Sequence, residues 1–203
     1  MNKIRIAILA SGTGSNAEAL MKKAQSLNSV EVTFVLSDKA GAGVLEKAQN
    51  LSVRHFVVAK QNDRREHEQR VLNLLREYRI DWVFLAGYMR LLSPEFLQTF
   101  SAWHRGSSQV VNIHPSLLPA YPGVDSIRRA YEDRVNESGV TLHLVDEGMD
   151  TGPHLMQSRL TLEAGESLAD WSVRFHKLEH QTYTQFLELM ALGQIPTSPF
   201  EET

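Results

Sequence analysis

The chain contains no cysteine among its 203 residues. Disulfide bonds, cysteine nucleophiles and cysteine ligands for zinc or iron–sulfur clusters are therefore excluded. An excess of positive charge is missing as well, since the net charge of −3 at pH 7 gives none of the basic field that attracts nucleic acids. Apolar residues make up 42% and charged residues 22% of the chain, as in ordinary globular proteins. These numbers predict a folded protein without a nucleic-acid partner.

Long hydrophobic runs are also missing. No stretch approaches the roughly 18 apolar residues that a membrane-spanning helix needs. The uncharged apolar run near the N-terminus, Ile6–Ala10, meets Ser11 after five residues and is too short for the hydrophobic core of a signal peptide. We therefore expect a soluble, cytoplasmic protein that contacts no membrane.

The first part of the sequence alternates between short apolar runs and amphipathic patterns. The apolar runs predict buried strands at Ile4–Ala10, Val30–Ser37, Val53–Val58, Trp82–Ala86 and Val110–Ile113. The amphipathic patterns predict helices at Gly41–Asn50, Arg64–Tyr78 and Ser93–Phe100. Because strands that alternate with helices form βαβ units, the pattern predicts an α/β fold: one open, twisted, mostly parallel sheet with helices on both faces.

The last part of the sequence has a different pattern. Thr141–Val145 and His154–Leu160 are strand-like, and a loop rich in glycine and aspartate separates them. A long helix is predicted from about Ser167 to Leu192, before Gly193 and a short tail, 196–203. The sequence contains no convincing linker, so we predict a single domain over residues 1–203. The polar stretch 103–109 is interpreted as a surface loop.

A glycine-rich segment, Ser11–Ala17, joins the first strand to the first helix. Glycines let the backbone approach an anion, and the free N–H groups at a helix N-terminus favour negative charge, so this segment predicts a phosphate site. It also has the spacing G-x-G-x-x-A, and Asp38 ends the second predicted strand. Since this combination is typical of dinucleotide-binding proteins, an NAD-dependent oxidoreductase is an alternative.

The chemistry-bearing candidates are Asn112, His114 and Asp150. Asn112 and His114 close the fifth predicted strand, where ligands bind in open parallel sheets, and residues two apart point to the same side. Asp150 stands in the glycine-rich loop and would orient an imidazole and favour its charged form. Amide, imidazole and carboxylate together suit acyl transfer to an amine by direct attack. The alternative is a loop-capping asparagine, a structural histidine and a solvated turn acid.

The segment His176–His180 has the spacing H-x-x-E-H of some zinc proteases. Its two histidines would lie on one face of a helix, which suits a metal ion. The motif is short, and few residues remain for a third ligand. We therefore predict no metal and keep a metalloprotease as a remote alternative.

Several segments together resemble one known family. Asn112–Gly123 closely resembles the signature of the phosphoribosylglycinamide formyltransferases, also called glycinamide ribonucleotide transformylases. The similarity continues through Ser11–Asn16, Leu85–Pro94 and Gly139–Pro153, and so covers nearly the whole chain. The resemblance implies a Rossmann-like formyltransferase fold and transfer of a formyl group from 10-formyltetrahydrofolate, as co-substrate, to the amine of glycinamide ribonucleotide in purine biosynthesis.

The resemblance also implies a role for each matching position. Asn112, His114 and Asp150 would be catalytic. The substrate-binding positions would be Gly14, Ser15, Asn16 and Glu179. The folate-binding positions would be Arg65, Met89, Arg90, Leu91, Leu92, Asp146, Glu147, Gly148 and Met149. Residues 1–100 would then bind the ribonucleotide phosphate, and 101–195 would carry catalysis and folate binding.

Other formyltransferases are the nearest alternatives. Methionyl-tRNA formyltransferases and formyltetrahydrofolate deformylases carry added domains for which this chain has no matching segment, whereas sugar-nucleotide formyltransferases stay open as an alternative. A folate or nucleotide sensor with the same fold would be expected to have lost part of the set Asn112, His114 and Asp150. Asp125 and Ile127 stand where some family members have histidine, so the pH response of this loop is expected to differ. We expect a monomer or a homodimer that binds only small molecules.

Overall fold

The structure is a computed structural model that describes residues 3–59 and 63–201. The strands in these residues are β1 (Ile4–Ala10), β2 (Val30–Ser37), β3 (His55–Val57), β4 (Trp82–Leu85), β5 (Val110–His114), β6 (Glu137–Leu144) and β7 (His154–Thr161). The helices are α1 (Ser15–Gln25), α2 (Gly43–Asn50), α3 (Arg64–Glu77), α4 (Pro94–Ala102), α5 (Ser126–Glu132) and α6 (Leu168–Ala191). The single domain predicted over 1–203 includes residues 1–2, 60–62 and 202–203, which lie outside this description.

All these strands form one sheet in the order β3-β2-β1-β4-β5-β6-β7. The strands from β1 to β5 pair in parallel, whereas β6 pairs antiparallel with both β5 and β7. This confirms the predicted α/β fold with a mostly parallel sheet. The strand order reverses between β1 and β4, and ligands of such sheets bind beyond the carboxyl ends of the strands at this point.

Helices cover both faces of the sheet, as predicted. Ile6 and Ile8 of β1 pack in the same cluster as buried residues of α1, α2 and α6. Ala7 and Leu9 point to the opposite face and pack with buried residues of α3 and α4. Because successive side chains of a strand alternate between faces, a strand covered on both sides has to be apolar throughout. This requirement explains the uninterrupted apolar run of β1.

Some boundaries differ from the prediction. Strand β3 is shorter than the predicted Val53–Val58, because the Val53 N–H bonds to the Ala48 carbonyl and so belongs to the turn that ends α2. Strand β6 begins at Glu137 rather than at Thr141. Its first residues include Gly139, where a Cβ would lie 2.0 Å from the Ser158 carbonyl oxygen of β7. This close strand pairing overrides the polar, weakly strand-like sequence at the start of β6.

The polar stretch 103–109 is more than the surface loop that was expected. Trp103, His104 and Gln109 are all buried. Gln109 Nε2 donates to the Ser198 carbonyl at 3.0 Å, and the Phe200 ring packs 5.6 Å from the Trp103 ring. The stretch therefore forms the surface on which the C-terminal tail packs, and this contact lies beside the amino-terminal ends of β4 and β5.

In the part of the chain that the structure describes, every helix is too short or too polar to cross a membrane.

Candidate active site

The candidate catalytic residues meet at the carboxyl ends of the central strands. Asn112 and His114 belong to the last three residues of β5, whose neighbour on one side is parallel β4. On the other side, antiparallel β6 places His143 opposite Asn112. The loop after β6 then returns Asp150 to the same place. A Cβ on Gly152 would lie 1.8 Å from the Leu144 carbonyl oxygen, so only glycine fits where this loop closes against β6.

Asp150 lies between two histidines. Its Oδ2 is 3.3 Å from His114 Nδ1, and its Oδ1 is 3.6 Å from His143 Nε2. The Gly123 N–H donates to Oδ2 at 2.8 Å. The amide nitrogen of Asn112 lies 3.4 Å from His143 Nε2, which links it to the same group. The structure thus brings Asn112, His114 and Asp150 together and adds His143.

The sequence reasoning missed His143. It is almost fully buried, and its Nδ1 lies 2.9 Å from the Leu144 carbonyl, to which this nitrogen donates. The available signal was a histidine inside an apolar strand just before the acidic loop. Because a buried polar group needs a partner, such a residue indicates a polar neighbour on the adjacent strand.

The surroundings of Asp150 favour its charged form. Its contact with His143 is the largest cause that lowers the pKa of Asp150, followed by the Gly123 N–H bond and the charge of His114. Burial acts in the opposite direction without reversing the shift. Asp150 is therefore a carboxylate at neutral pH.

The imidazole of His114 faces an oxygen acceptor at each ring nitrogen. Nε2 lies 2.8 Å from the Tyr121 carbonyl, and Nδ1 faces Asp150. A neutral imidazole carries one N–H and can donate to only one of these oxygens, whereas the protonated ring donates to both. The two acceptors fix the orientation of the His114 ring between the Tyr121 carbonyl and the Asp150 carboxylate.

The predicted phosphate loop ends at Gly14, which precedes α1 with a φ of 76°. A Cβ on Gly14 would lie 2.5 Å from the Val44 side chain, so space and backbone conformation both require glycine. Ser15 and Asn16 follow in the first turn of α1, where free N–H groups favour an anion.

Glu179 of α6 lies against this loop. Its Oε2 accepts from Asn16 Nδ2 at 3.3 Å and lies 3.1 Å from His176 Nδ1. The hydrogen bond to Glu179 raises the pKa of His176 above its ordinary value. The buried Asn16 Oδ1 has no hydrogen-bond partner among the described residues, which leaves an acceptor beside the loop. The structure thus places Asn16 and Glu179 together, as a shared substrate site requires.

A cavity of about 430 Å³ opens next to Asn112, His143 and Asp150, and its lining includes the predicted folate positions on two segments. These positions are Met89, Arg90, Leu91, Leu92, Asp146, Glu147, Gly148 and Met149. Met89, Leu91 and Met149 expose more than half of their surface, as does Val124. Apolar side chains left open around a cavity indicate a ligand with an apolar surface.

Arg65 is placed differently from the prediction. It lines only a neighbouring cavity, between α3 and the start of α4, whereas Arg64 lines both that cavity and the one beside Asp150. The Arg64 guanidinium donates to the Leu91 carbonyl at 2.8 Å. Because a helix turns about 100° per residue, adjacent side chains at its start point in different directions. The two neighbouring arginines could not be told apart before the helix was placed.

The metalloprotease alternative would need a metal site, and residues 3–59 and 63–201 contain none. No three histidine, aspartate or glutamate side chains in these ranges come together in an arrangement that could hold a metal ion. Within the H-x-x-E-H segment, Glu179 contacts His176 and Asn16.

Comparisons with known proteins show the family to which the chain belongs. The sequence profile of the Formyl transferase family matches residues 4–187, so the chain belongs to this family. It is 35% identical to the phosphoribosylglycinamide formyltransferase of Bacillus subtilis over 91% of this chain and 93% of that protein. It is equally similar to the human trifunctional purine biosynthetic protein adenosine-3, with 95% of this chain matching 19% of that protein.

Solved structures give the same result. The phosphoribosylglycinamide formyltransferase of Brucella melitensis superposes with a TM-score of 0.86 at 36% identity, covering 97% of this chain and all of that one. Glycinamide ribonucleotide transformylase 1 of Geobacillus kaustophilus has a TM-score of 0.85 at 39% identity, covering 94% of this chain. The chain is therefore an enzyme of formyl transfer, and the NAD-dependent alternative is not favoured.

Proposed function

We propose that the chain transfers the formyl group of 10-formyltetrahydrofolate to the amine of glycinamide ribonucleotide. The observation that carries this proposal is the position of Asp150. It contacts His114 and His143 at the end of a cavity lined by residues 89–92 and 146–149. Relatives named phosphoribosylglycinamide formyltransferase match almost the whole chain, which supports the proposed acceptor.

The charges of the site support the following reaction. The amine of the ribonucleotide attacks in its unprotonated form, which is a minority at neutral pH because α-amines have pKa values near ~7.7–8.0. A C–N bond forms between this amine and the formyl carbon, and the formyl oxygen takes the negative charge. The Asn112 amide donates to this oxygen. His114, whose Nδ1 lies 3.3 Å from the Asp150 carboxylate, stabilises the same oxygen in this scheme.

Collapse of the intermediate breaks the bond between the formyl carbon and the folate nitrogen. The amine loses a proton, and the departing folate nitrogen gains one, carried by water. Asp150 stays a carboxylate throughout, in agreement with its lowered pKa, and its negative charge faces His114 Nδ1. In this scheme the enzyme needs no covalent intermediate and no metal.

The ribonucleotide site in this proposal draws on both predicted parts of the chain. Gly14, Ser15 and Asn16 bind the phosphate end from within 1–100, and Glu179 contributes from 101–195. The folate site likewise combines residues 89–92 with 146–149, and Arg64 takes the place predicted for Arg65. A cytoplasmic location and a monomeric or homodimeric state belong to the same proposal.

The test is the absorbance of the folate product, measured with glycinamide ribonucleotide, with an amino-sugar nucleotide, and with neither. Product that appears only with the ribonucleotide supports the proposal. Product only with the sugar nucleotide would favour that second acceptor, and product without any amine would indicate a hydrolase. An enzyme that forms no product from 10-formyltetrahydrofolate under any of these conditions would contradict the proposal.

A further inference from the structure

The segment 88–93, which forms one wall of the cavity beside Asp150, has no regular secondary structure. Met89 and Leu91 point outward with 76% and 64% of their surface exposed. Burial of these side chains therefore does not hold the wall in place. A wall that binds a ligand has to be positioned closely, since small displacements weaken binding and catalysis.

Two contacts hold this segment to the rest of the fold: the Met89 N–H donates to Ser11 Oγ at 3.0 Å, and Leu92 is buried in the core. The remaining polar contacts come from the first two turns of α3. The Arg64 guanidinium donates to the Leu91 carbonyl at 2.8 Å in the middle of the segment. At one end, the Tyr88 hydroxyl lies 2.8 Å from His67 Nε2. At the other end, both the N–H and the hydroxyl of Ser93 donate to the Glu68 carboxylate.

The His67 contact has a defined direction. His67 Nδ1 lies 3.3 Å from the Ala59 carbonyl and donates to it, so Nε2 accepts from the Tyr88 hydroxyl. Burial lowers the pKa of His67, which keeps the ring neutral at neutral pH. This end of the segment is thus held by an uncharged pair.

Glu68 connects the remaining contacts. Its Oε1 accepts from Arg64 Nε at 3.0 Å and from the Ser93 N–H at 2.9 Å. The side chain of Glu68 is only 9% exposed, whereas that of Arg64 is 50% exposed. A buried carboxylate that accepts several donors is fixed, and it orients the more mobile arginine on the Leu91 carbonyl.

Ser93 extends this connection to the next helix. Its hydroxyl oxygen also accepts from the Phe96 N–H at 3.1 Å and caps the start of α4. Glu68 therefore joins α3, the wall segment and the first turn of α4 through one buried side chain.

We propose that Glu68 is a positioning residue for the formyl-donor site, because it orients Arg64 and Ser93 and thereby fixes the wall 88–93. This inference rests on the proposed function, since it assumes that 10-formyltetrahydrofolate binds in this cavity. Glu68 does not line the cavity and acts through the residues it holds.

The experiment compares Glu68→Gln with Glu66→Gln in steady-state kinetics. Glu66 is the matched control, because it lies on the same helix and bonds Arg70 at 2.6 Å with about half of its side chain exposed. Loss of a charged hydrogen bond predicts a rise of about tenfold in the KM for 10-formyltetrahydrofolate in Glu68→Gln. The kcat and the KM for the ribonucleotide should stay within about twofold, since the ribonucleotide site is separate. Glu66→Gln should match the wild type in all three.

A second comparison separates positioning from general support of the fold. Because Glu68 acts partly through Arg64, the effects of Arg64→Gln and Glu68→Gln on the donor KM should be clearly less than additive in the double variant. Glu68→Asp keeps the buried charge but shortens its reach, so its donor KM should also rise. This variant tests the proposal even where Glu68→Gln does not fold.

Three results would overturn the proposal. They are a donor KM in Glu68→Gln and Glu68→Asp equal to that of Glu66→Gln, equal losses in kcat and in both KM values, or additive effects in the double variant. In each case the wild type still transfers the formyl group, so the proposed function stands. If the wild type forms no product from the donor, both the proposed function and the proposed role of Glu68 are contradicted.

Discussion

At the scale of single residues, Asp150 combines an unusual backbone with several polar contacts. Its φ of 57° lies in the left-handed region, which side chains other than glycine seldom adopt. Its carboxylate contacts His114, His143 and the Gly123 N–H. The backbone conformation and the contacts fix the carboxylate at one place beside the cavity, facing the two histidines.

Asp150→Ala is expected to lower kcat by a factor of roughly 10²–10⁴, the range for losing a group that stabilises developing charge or orients a catalytic histidine. The KM for the ribonucleotide should change little, because its predicted site lies at Gly14–Asn16. The control is Glu77→Gln, which neutralises an exposed acid at the far end of α3. Near wild-type kcat in Asp150→Ala would show that the carboxylate is not needed for turnover.

Gly14→Ala is expected to destabilise the protein by about 1–3 kcal/mol, because a Cβ at a positive φ would also press on Val44. Chemical denaturation measures this change. Gly12→Ala in the same loop is the control, since nothing lies within 4 Å of a Cβ at Gly12. Equal unfolding midpoints for the two variants would contradict the close packing at Gly14.

Some residues of the candidate site could be predicted from their place in a strand or loop that the sequence pattern reveals. Asn112 and His114 stand two apart at the end of a recognisable strand, and Asp150 stands in a recognisable loop. His143 and Arg64 were not predicted at the site. The position of His143 depends on which strand lies opposite Asn112, and that of Arg64 depends on the rotation of α3. Both are properties of the folded arrangement.

At the scale of elements, Glu18 connects the first two helices. Its carboxylate lies 2.6 Å from Lys22 on α1 and 2.6 Å from Lys47 on α2. Hydrogen bonds to these two lysines lower the pKa of Glu18 from 4.5 to about 2. Because the folded-state pKa is the lower one, this stabilisation is present above pH 4.5 and is lost as the pH falls towards 2.

Glu18→Gln should therefore lose at most about 1 kcal/mol of stability at pH 7, as is usual for partly exposed ion pairs. The difference from the wild type should disappear as the pH falls through this window, and urea unfolding at several pH values measures it. Glu46→Gln, an acid in the first turn of α2, serves as the control. A stability difference that is independent of pH would contradict the ionic origin.

Most strands of the sheet were predictable because they are buried on both faces and uniformly apolar. The boundaries of β1 and β2 agree with the prediction. Helix α5 was not predicted, because it is short and begins after Asp125 at a left-handed φ, without a side-chain cap among the described residues. The start of β6 was missed because pairing with β7, rather than its own sequence, makes it a strand.

At the scale of the whole molecule, the C-terminal tail covers the amino-terminal ends of β4 and β5, at the opposite end of these strands from the candidate site. The Phe200 N–H donates to Asp81 at 3.1 Å, just before β4, and the Phe200 ring packs on Trp103 and His104. This contact could not be predicted, since the tail and the stretch 103–109 are far apart along the chain and neither has a periodic pattern.

Phe200→Ala is expected to cost about 1–2 kcal/mol, less than for a fully buried phenylalanine because the ring is partly exposed. Denaturant unfolding measures the loss, while kcat and both KM values should match the wild type. Val173→Ala, which truncates an exposed apolar side chain on α6, is the control. A changed kcat would show that the tail affects the candidate site at the carboxyl ends of the strands.

Two glycines in the strand and loop next to the candidate site should be as intolerant of substitution as the catalytic candidates. Gly139 and Gly152 leave no room for even one methyl group, yet neither has a side chain that could act on a substrate. In a selection for growth without purines, variants at both positions should be depleted as strongly as variants of Asp150. A map of intolerant positions would therefore include closely packed glycines as well as candidate catalytic residues. The yield of soluble protein would separate the two groups, since only the glycine variants should fold poorly.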